Sequence, residues 1–128
     1  MKLRLPYPPS VNHYWRHLPT GRGRMSVIIG EEGQRFRGAV WIEARRRRLA
    51  MIEGPVAIDI VVTRPDLRRR DFDNIEKATF DALVFAKLIE DDSLVLDKRT
   101  RDSYVIERDG AIDITIEPME VREWEDRR

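Results

Sequence analysis

Apolar and polar residues alternate in four stretches of the chain. Residues 2–6 (KLRLP) form the first and predict a short strand, stopped by Pro6, Pro8 and Pro9. Residues 56–64 repeat the pattern with Ile58, Ile60 and Val62 on one face, and predict a second strand. Residues 94–106 and 111–117 predict a third and a fourth. Between those two, Arg108, Asp109 and Gly110 read as a turn, and Asp-Gly before an alternating run is a hairpin signal. A helical period replaces alternation over 31–52, where Phe36, Val40, Ala44 and Met51 share a face until Gly54 and Pro55. A second helix is expected from an N-cap at Asp73, with Glu76 completing a capping box, to about Ile89. Residues 10–30 show neither period. With Gly21, Gly23, Gly30 and a basic GRGR segment they read as a long mobile loop, rich in basic and aromatic residues. The order β-α-β-α-β-β predicts an α/β fold with a mixed sheet packed against two helices.

The length of 128 residues fits one domain, 1–128, with residues 118–128 as a charged tail, either a short helix or frayed. There are no cysteines, which excludes thiolate catalysis and cysteine-held zinc. No run of apolar residues is long enough for a membrane span. The start MKLRLPYPPS lacks the apolar core of a signal peptide, so a cytoplasmic location is expected. Neither a membrane nor a small-molecule cofactor is expected as a partner.

A net charge of +1 hides an asymmetry. Residues 1–70 carry 15 Lys/Arg against 6 Asp/Glu, and residues 71–128 carry 9 against 17. The sign reverses between Arg70 and Asp71. A basic half suits a polyanion, because Lys and Arg release counterions from phosphates. An acidic cluster beside it would repel DNA unless it held cations, which points to a nuclease; a mixed-charge soluble surface is the plainer alternative.

The run RRRDFDNIEK at 68–77 concentrates this chemistry. Asp71 and Asp73 lie two residues apart at a helix start, so an extended Asp71 lets both carboxylates point to one side. Carboxylate oxygens suit Mg²⁺, and phosphodiester hydrolysis needs a cation that activates water and neutralises charge. The same pair also fits an N-cap and a partner for the helix dipole. Arg68, Arg69 and Arg70 precede the acids and can attract a phosphate. Lys77 lies one turn beyond Asp73, where it can reach a phosphate or form an ion pair with Asp73 or Asp81. Asp91 and Asp92 follow the helix. Upstream, Tyr14, Trp15 and Arg16 place aromatics beside a cation, suited either to stacking on exposed bases or to covering the core. Arg22 and Arg24 are candidate phosphate contacts, and the Arg45–Arg48 run a further DNA guide.

PYPPSVNHYWRH, Ser26, GEEGQRFR and RRRDFDNIEKATFDAL followed by EDD and VLDKR resemble the RusA-family Holliday junction resolvases over roughly residues 5–117. The resemblance implies a homodimeric, Mg²⁺-dependent endonuclease, with Mn²⁺ a possible substitute, that nicks four-way DNA junctions symmetrically in recombination and repair. It implies that Asp71, Asp73 and Asp92 are the catalytic metal-binding carboxylates and that Lys77 matches a functionally important lysine. The chain departs from the pattern in the 18–30 segment and in its tail after Pro118.

Helix length raises a geometric question. A helix from Asn74 to Ile89 spans about 24 Å, leaving Asp92 far from Asp71 and Asp73. Either the chain after Ile89 folds back, or a second subunit supplies Asp92. Ile75, Ala78, Ala82, Ala86 and Ile89 form one apolar stripe; Phe80, Val84 and Leu88 lie on another side. A helix apolar on two sides needs two partners, so Phe80, Val84 and Leu88 are expected at a dimer interface, unless the helix lies buried between layers of one subunit. The functional alternatives are a non-catalytic DNA-binding module and a nuclease for flaps, forks or RNA.

Overall fold

The computed structural model describes residues 1–21 and 23–121. Arg22 and the end of the expected tail, residues 122–128, lie outside the described residues. The order is β1 (Lys2–Leu5), α1 (Val11–Tyr14), β2 (Trp15–Pro19), β3 (Met25–Ile29), α2 (Glu31–Arg46), β4 (Val56–Arg64), α3 (Phe72–Phe85), a 3-10 turn (Asp92–Leu94), β5 (Val95–Ile106) and β6 (Ala111–Pro118). The main sheet runs β1-β6-β4-β5, with β4 and β5 parallel and the other pairs antiparallel. The expected α/β fold with a mixed sheet on two helices is therefore present.

Alternation builds the core. Ile58, Ile60 and Val62 of β4 stand opposite Ile116, Ile114 and Ile112 of β6, and Leu3 and Leu5 of β1 stand opposite Ile114 and Ile112. All eight are buried. Against this face pack Phe36, Val40 and Ala44 of α2, spaced four apart, and Ile75, Ala78, Ala82 and Leu83 of α3. Among the described residues no helix is long and apolar enough to cross a membrane.

Four expectations change. The 10–30 segment is not a loop: α1 and the antiparallel hairpin β2–β3 occupy it, with Trp15 opposite Ile29 and Pro19 opposite Met25. Gly21 (φ 84°) and Gly23 (φ 73°) make its turn. The two helices end early, and in the same way. Arg48 (φ 53°) and Lys87 (φ 60°) are left-handed; Leu49 N–H reaches back to Ala44 O and Leu88 N–H to Leu83 O. Each closure satisfies carbonyls the helix end leaves open. α2 therefore stops at Arg46 rather than 52, and Met51 is exposed instead of joining the apolar face. α3 stops at Phe85 rather than Ile89.

The hairpin expected between the third and fourth strands also fails. β4 lies between β5 and β6. Asp109 (φ 70°) and Gly110 (φ 65°) still reverse the chain, but the connection crosses the end of β4, where Glu107 N–H bonds Arg64 O. A Cβ at Gly110 would lie 2.9 Å from Thr63 O and from Pro65 Cδ, so the crossing needs a glycine.

Finally, the second side of α3 is covered within the chain. α1 and α2 pack against it. Leu88 is fully buried and Phe80 nearly so, both in the chain's own core. Both are core positions of the chain itself, so most of the surface expected at a dimer interface is already covered; Val84 is half-buried against the same core.

Candidate active site

α3 begins where the basic loop after β4 ends. Asp71, in extended conformation (φ −94°, ψ 119°), is its N-cap, and Asp71 Oδ1 accepts the N–H of Asp73 at 2.9 Å. The expected cap at Asp73 is thus displaced by two residues, because Asp71 has the extended backbone of a cap while Asp73 already lies in the first helical turn. One oxygen of Asp71 is engaged. The Asp73 carboxylate forms no hydrogen bond or ion pair among the described residues, and both acids are exposed. A hollow of about 800 Å³ opens beside Asp71, lined by Arg69, Arg70, Asp71, Phe72 and Asn74.

The three arginines do not act alike. Arg68 and Arg69 are exposed. Arg70 is held: its Nη1 donates to Asp66 Oδ1 at 2.6 Å and its guanidinium lies 5.3 Å from the Tyr7 ring centroid. The Arg70 hydrogen bond, and a second from the Arg68 backbone, bring the Asp66 carboxyl down to about 2. Arg70 therefore braces the loop that delivers Asp71.

Glu76 does not close a capping box. It is buried, accepting from Lys98 Nζ at 2.7 Å and Thr100 Oγ1 at 2.6 Å, both on β5. The sequence reading missed this tie; the signal available was the alternate spacing of Lys98 and Thr100, which puts both on the face toward α3. Lys77 forms neither of its possible helical ion pairs among the described residues. Its ammonium stands 5.0 Å from the Trp15 ring centroid.

The remaining expected residues divide. Tyr14 is fully buried, so it has no free face for a base; its hydroxyl donates to Asp81, which also binds Arg37. Arg16 and Arg24 stand exposed on the β2–β3 hairpin. Asp91 is occupied as the cap of the 3-10 turn, accepting from the backbone N–H and hydroxyl of Ser93, which lower its pKa. Asp92 is exposed and makes no side-chain bond among the described residues.

Asp92 and the Asp71–Asp73 pair lie at opposite ends of α3, whose fourteen residues span about 21 Å. Among the described residues no three His, Cys, Asp or Glu side chains come together as a metal group. The Arg45–Arg48 run sits at the Asp92 end: Arg47 reaches Lys2 O, and Ile52 N–H bonds Leu88 O just beyond α3. It is remote from Arg68–Arg70 within one chain.

The fold and the site together define a small α/β protein that offers exposed carboxylates at a helix start next to a basic loop, an arrangement suited to cations and phosphates. The family model described as Endodeoxyribonuclease RusA matches residues 6–117, and the chain belongs to that family. It is 42% identical over 121 residues to Crossover junction endodeoxyribonuclease RusA of Escherichia coli K12, covering 91% of this chain and 93% of that protein. It is 41% identical over 121 residues to the protein of the same description from Enterobacteria phage 82, with the same coverage. The Shigella sonnei protein so described is 41% identical over 118 residues.

Proposed function

We propose that the chain is a Holliday junction resolvase, an endodeoxyribonuclease that nicks four-way DNA junctions on two symmetry-related strands during recombination and repair. The observation that carries this is the near full-length similarity to crossover junction endodeoxyribonucleases, joined to the exposed carboxylates at the start of α3. A cytoplasmic location fits a protein that acts on DNA.

Asp71 and Asp73 suit a hard divalent cation, Mg²⁺ with Mn²⁺ as substitute, because one Asp71 oxygen and both Asp73 oxygens are unengaged and face solvent that can complete the coordination. When bound, such a cation neutralises phosphate charge and makes a water ligand more acidic. The protein's own residues do the rest. Arg68 and Arg69 draw the phosphodiester toward the hollow. Lys77 meets charge that develops on the phosphate oxygens. Arg16, Arg24 and Arg22 hold the flanking backbone.

Asp92 enters this site from a second subunit. An antiparallel pairing about a two-fold axis brings Asp92 of the partner subunit to Asp71 and Asp73, and carries the partner's Arg45–Arg48 run with it. Each end of α3 holds part of the acid set and one basic run, which a two-fold dimer completes twice, matching two strands to be cut.

The test is cleavage of a synthetic four-way junction with Mg²⁺, with EDTA, and with flap and fork competitors. Metal-dependent paired nicking is expected; binding without nicking under all conditions reduces the protein to a DNA-binding module. Asp73→Asn is expected to bind junctions with unchanged affinity and to lose cleavage by at least 10²-fold, and retained cleavage removes Asp73 from the chemistry. Mixing Asp73→Asn with Asp92→Asn subunits should restore one functional centre per dimer, giving single nicks. Mixed dimers that form and stay inactive refute the shared site.

A further inference from the structure

We infer that Trp15 is a positioning residue for Lys77: its indole face fixes the lysine ammonium beside the acids of α3 while leaving every N–H free for phosphate. This rests on the reading of Lys77 given above.

Lys77 has two obvious carboxylate partners on its own helix, Asp73 one turn before and Asp81 one turn after. Asp81 is already satisfied. Its Oδ2 accepts from Arg37 Nε at 2.8 Å and from the Tyr14 hydroxyl, and its Oδ1 accepts from Arg37 Nη2 at 3.0 Å. Arg37 cancels the charge that would otherwise draw Lys77 down the helix, away from Asp73. Lys77 settles instead 5.0 Å from the centroid of Trp15, inside the range of cation–π attraction.

The platform is rigid. Trp15 follows α1, and its ring lies tilted by 46° against the Tyr14 ring with centroids 4.1 Å apart. Tyr14 is fully buried, its ring meets Phe36 edge-on at 6.2 Å, and its carbonyl accepts the N–H of Gly30 at 2.8 Å. Gly33 of α2 has no room for a Cβ beneath that same carbonyl. The backbone carrying Trp15 is thus clamped from two sides, so the indole is set before any ligand arrives.

The choice of an aromatic face matters chemically. A carboxylate partner would take one of the three N–H donors of the ammonium and offset its charge. An indole face takes neither, since the attraction runs to the ring quadrupole. Lys77 is held in place with its donors and charge available to a phosphate.

Fluorinated tryptophans test this, because successive ring fluorines weaken the cation–π attraction with little change in shape. In a Trp41→Phe, Trp124→Phe background, Trp15 carries the label alone. Turnover of a four-way junction is expected to fall stepwise across the series, by about three- to tenfold at the most fluorinated ring, with junction affinity and thermal midpoint unchanged. In a Lys77→Met protein the series should be flat, and Lys77→Met should shift the emission of Trp15. A flat series in the Lys77 protein, while Lys77→Met is crippled, overturns the inference and leaves the role of Lys77 standing. Full activity of Lys77→Met removes that role and the inference with it. Unchanged Trp15 emission in Lys77→Met shows that the contact does not exist in solution.

Discussion

Replacing Tyr14 by Phe removes one oxygen from the junction of α1, α2 and α3. The ring stays, so its packing on Trp15 and Phe36 and its full burial are kept. What is lost is a hydroxyl that donates to the Asp81 carboxylate and accepts a long bond from Arg37 Nε at 3.4 Å. Hydrogen bonds to charged groups contribute about 1.5–3 kcal/mol each. Two features place this one at the lower end. Asp81 keeps both bonds from Arg37, at 2.8 and 3.0 Å, so no acceptor is stranded. Its side chain is also 30% exposed, so water screens part of the interaction. The expected loss is about 1–2 kcal/mol, or about 3–8 °C in thermal midpoint for a domain of this size. Burial first, then the Asp81 carboxylate, raises the Tyr14 phenol far above its ordinary value. The hydroxyl therefore stays a donor through neutral and mildly alkaline pH, and the loss should not vary across that range. Urea unfolding of wild type, Tyr14→Phe, Asp81→Asn and the double variant measures both the loss and the coupling. The midpoint should fall with an unchanged denaturant slope, and the coupling should be about 1 kcal/mol. A loss below about 0.5 kcal/mol, or additivity of the two changes, would refute the account of this junction.

Two further outcomes follow from the backbone and from one ion pair. Arg48→Gly and Lys87→Gly each relieve a left-handed side-chain residue at a helix end; a net gain of about 0.5 kcal/mol apiece is expected after the greater freedom of glycine in the unfolded chain is subtracted, and a loss of stability in either, by urea unfolding, contradicts the closure described. Asp66, brought down to about 2 chiefly by Arg70, has a folded pKa below its unfolded one. Its contribution is fully present above the ordinary carboxylate range and fades as pH falls through about 2. Carboxyl-carbon NMR should show that low midpoint and its rise toward the ordinary value in Arg70→Ala; an ordinary midpoint in the wild type removes Arg70 from its bracing role.

The sheet was legible because its strands bury one face and expose the other. Ile58, Ile60 and Val62 could belong to nothing but a half-covered strand. The β2–β3 ribbon escaped notice for the opposite reason: Arg16, His17, Met25, Val27 and Ile28 are exposed, so neither face carries a core pattern. Helix ends were misplaced because Arg48 and Lys87 adopt the left-handed conformation where glycine is the usual sign. Asp109–Gly110 announced a reversal correctly, but a local signal does not say that β4 will be inserted between the strands it joins. At the site, the paired acids and their place at a helix start were readable. The division of labour was not: Asp71 caps, Asp73 is free, Arg70 braces, and Tyr14 holds helices together. Asp71 and Arg70 act through near neighbours, the Asp73 N–H and Asp66, in a loop that carries no periodic pattern, whereas Tyr14 and Glu76 depend on distant partners, Asp81 and β5.

The placement of β6 between β1 and β4 also governs how the chain must be made. Leu3 finds its pairing partner in Ile114 and Leu5 in Ile112. Among the described residues only β6 pairs with β1, so the hydrogen-bonding edge of β1 stays open during synthesis until the last of these strands has emerged. β4 likewise waits for both of its neighbours, because β5 and β6 both follow α3 in the chain. Closure between such distant segments is slow, and open edges invite association with other chains in the interval. A product truncated before residue 111 would leave two unpaired strand edges at once and should aggregate instead of yielding a smaller folded unit. The acidic start of α3, built on the loop that leaves β4, therefore takes its final form only when β6 is in place.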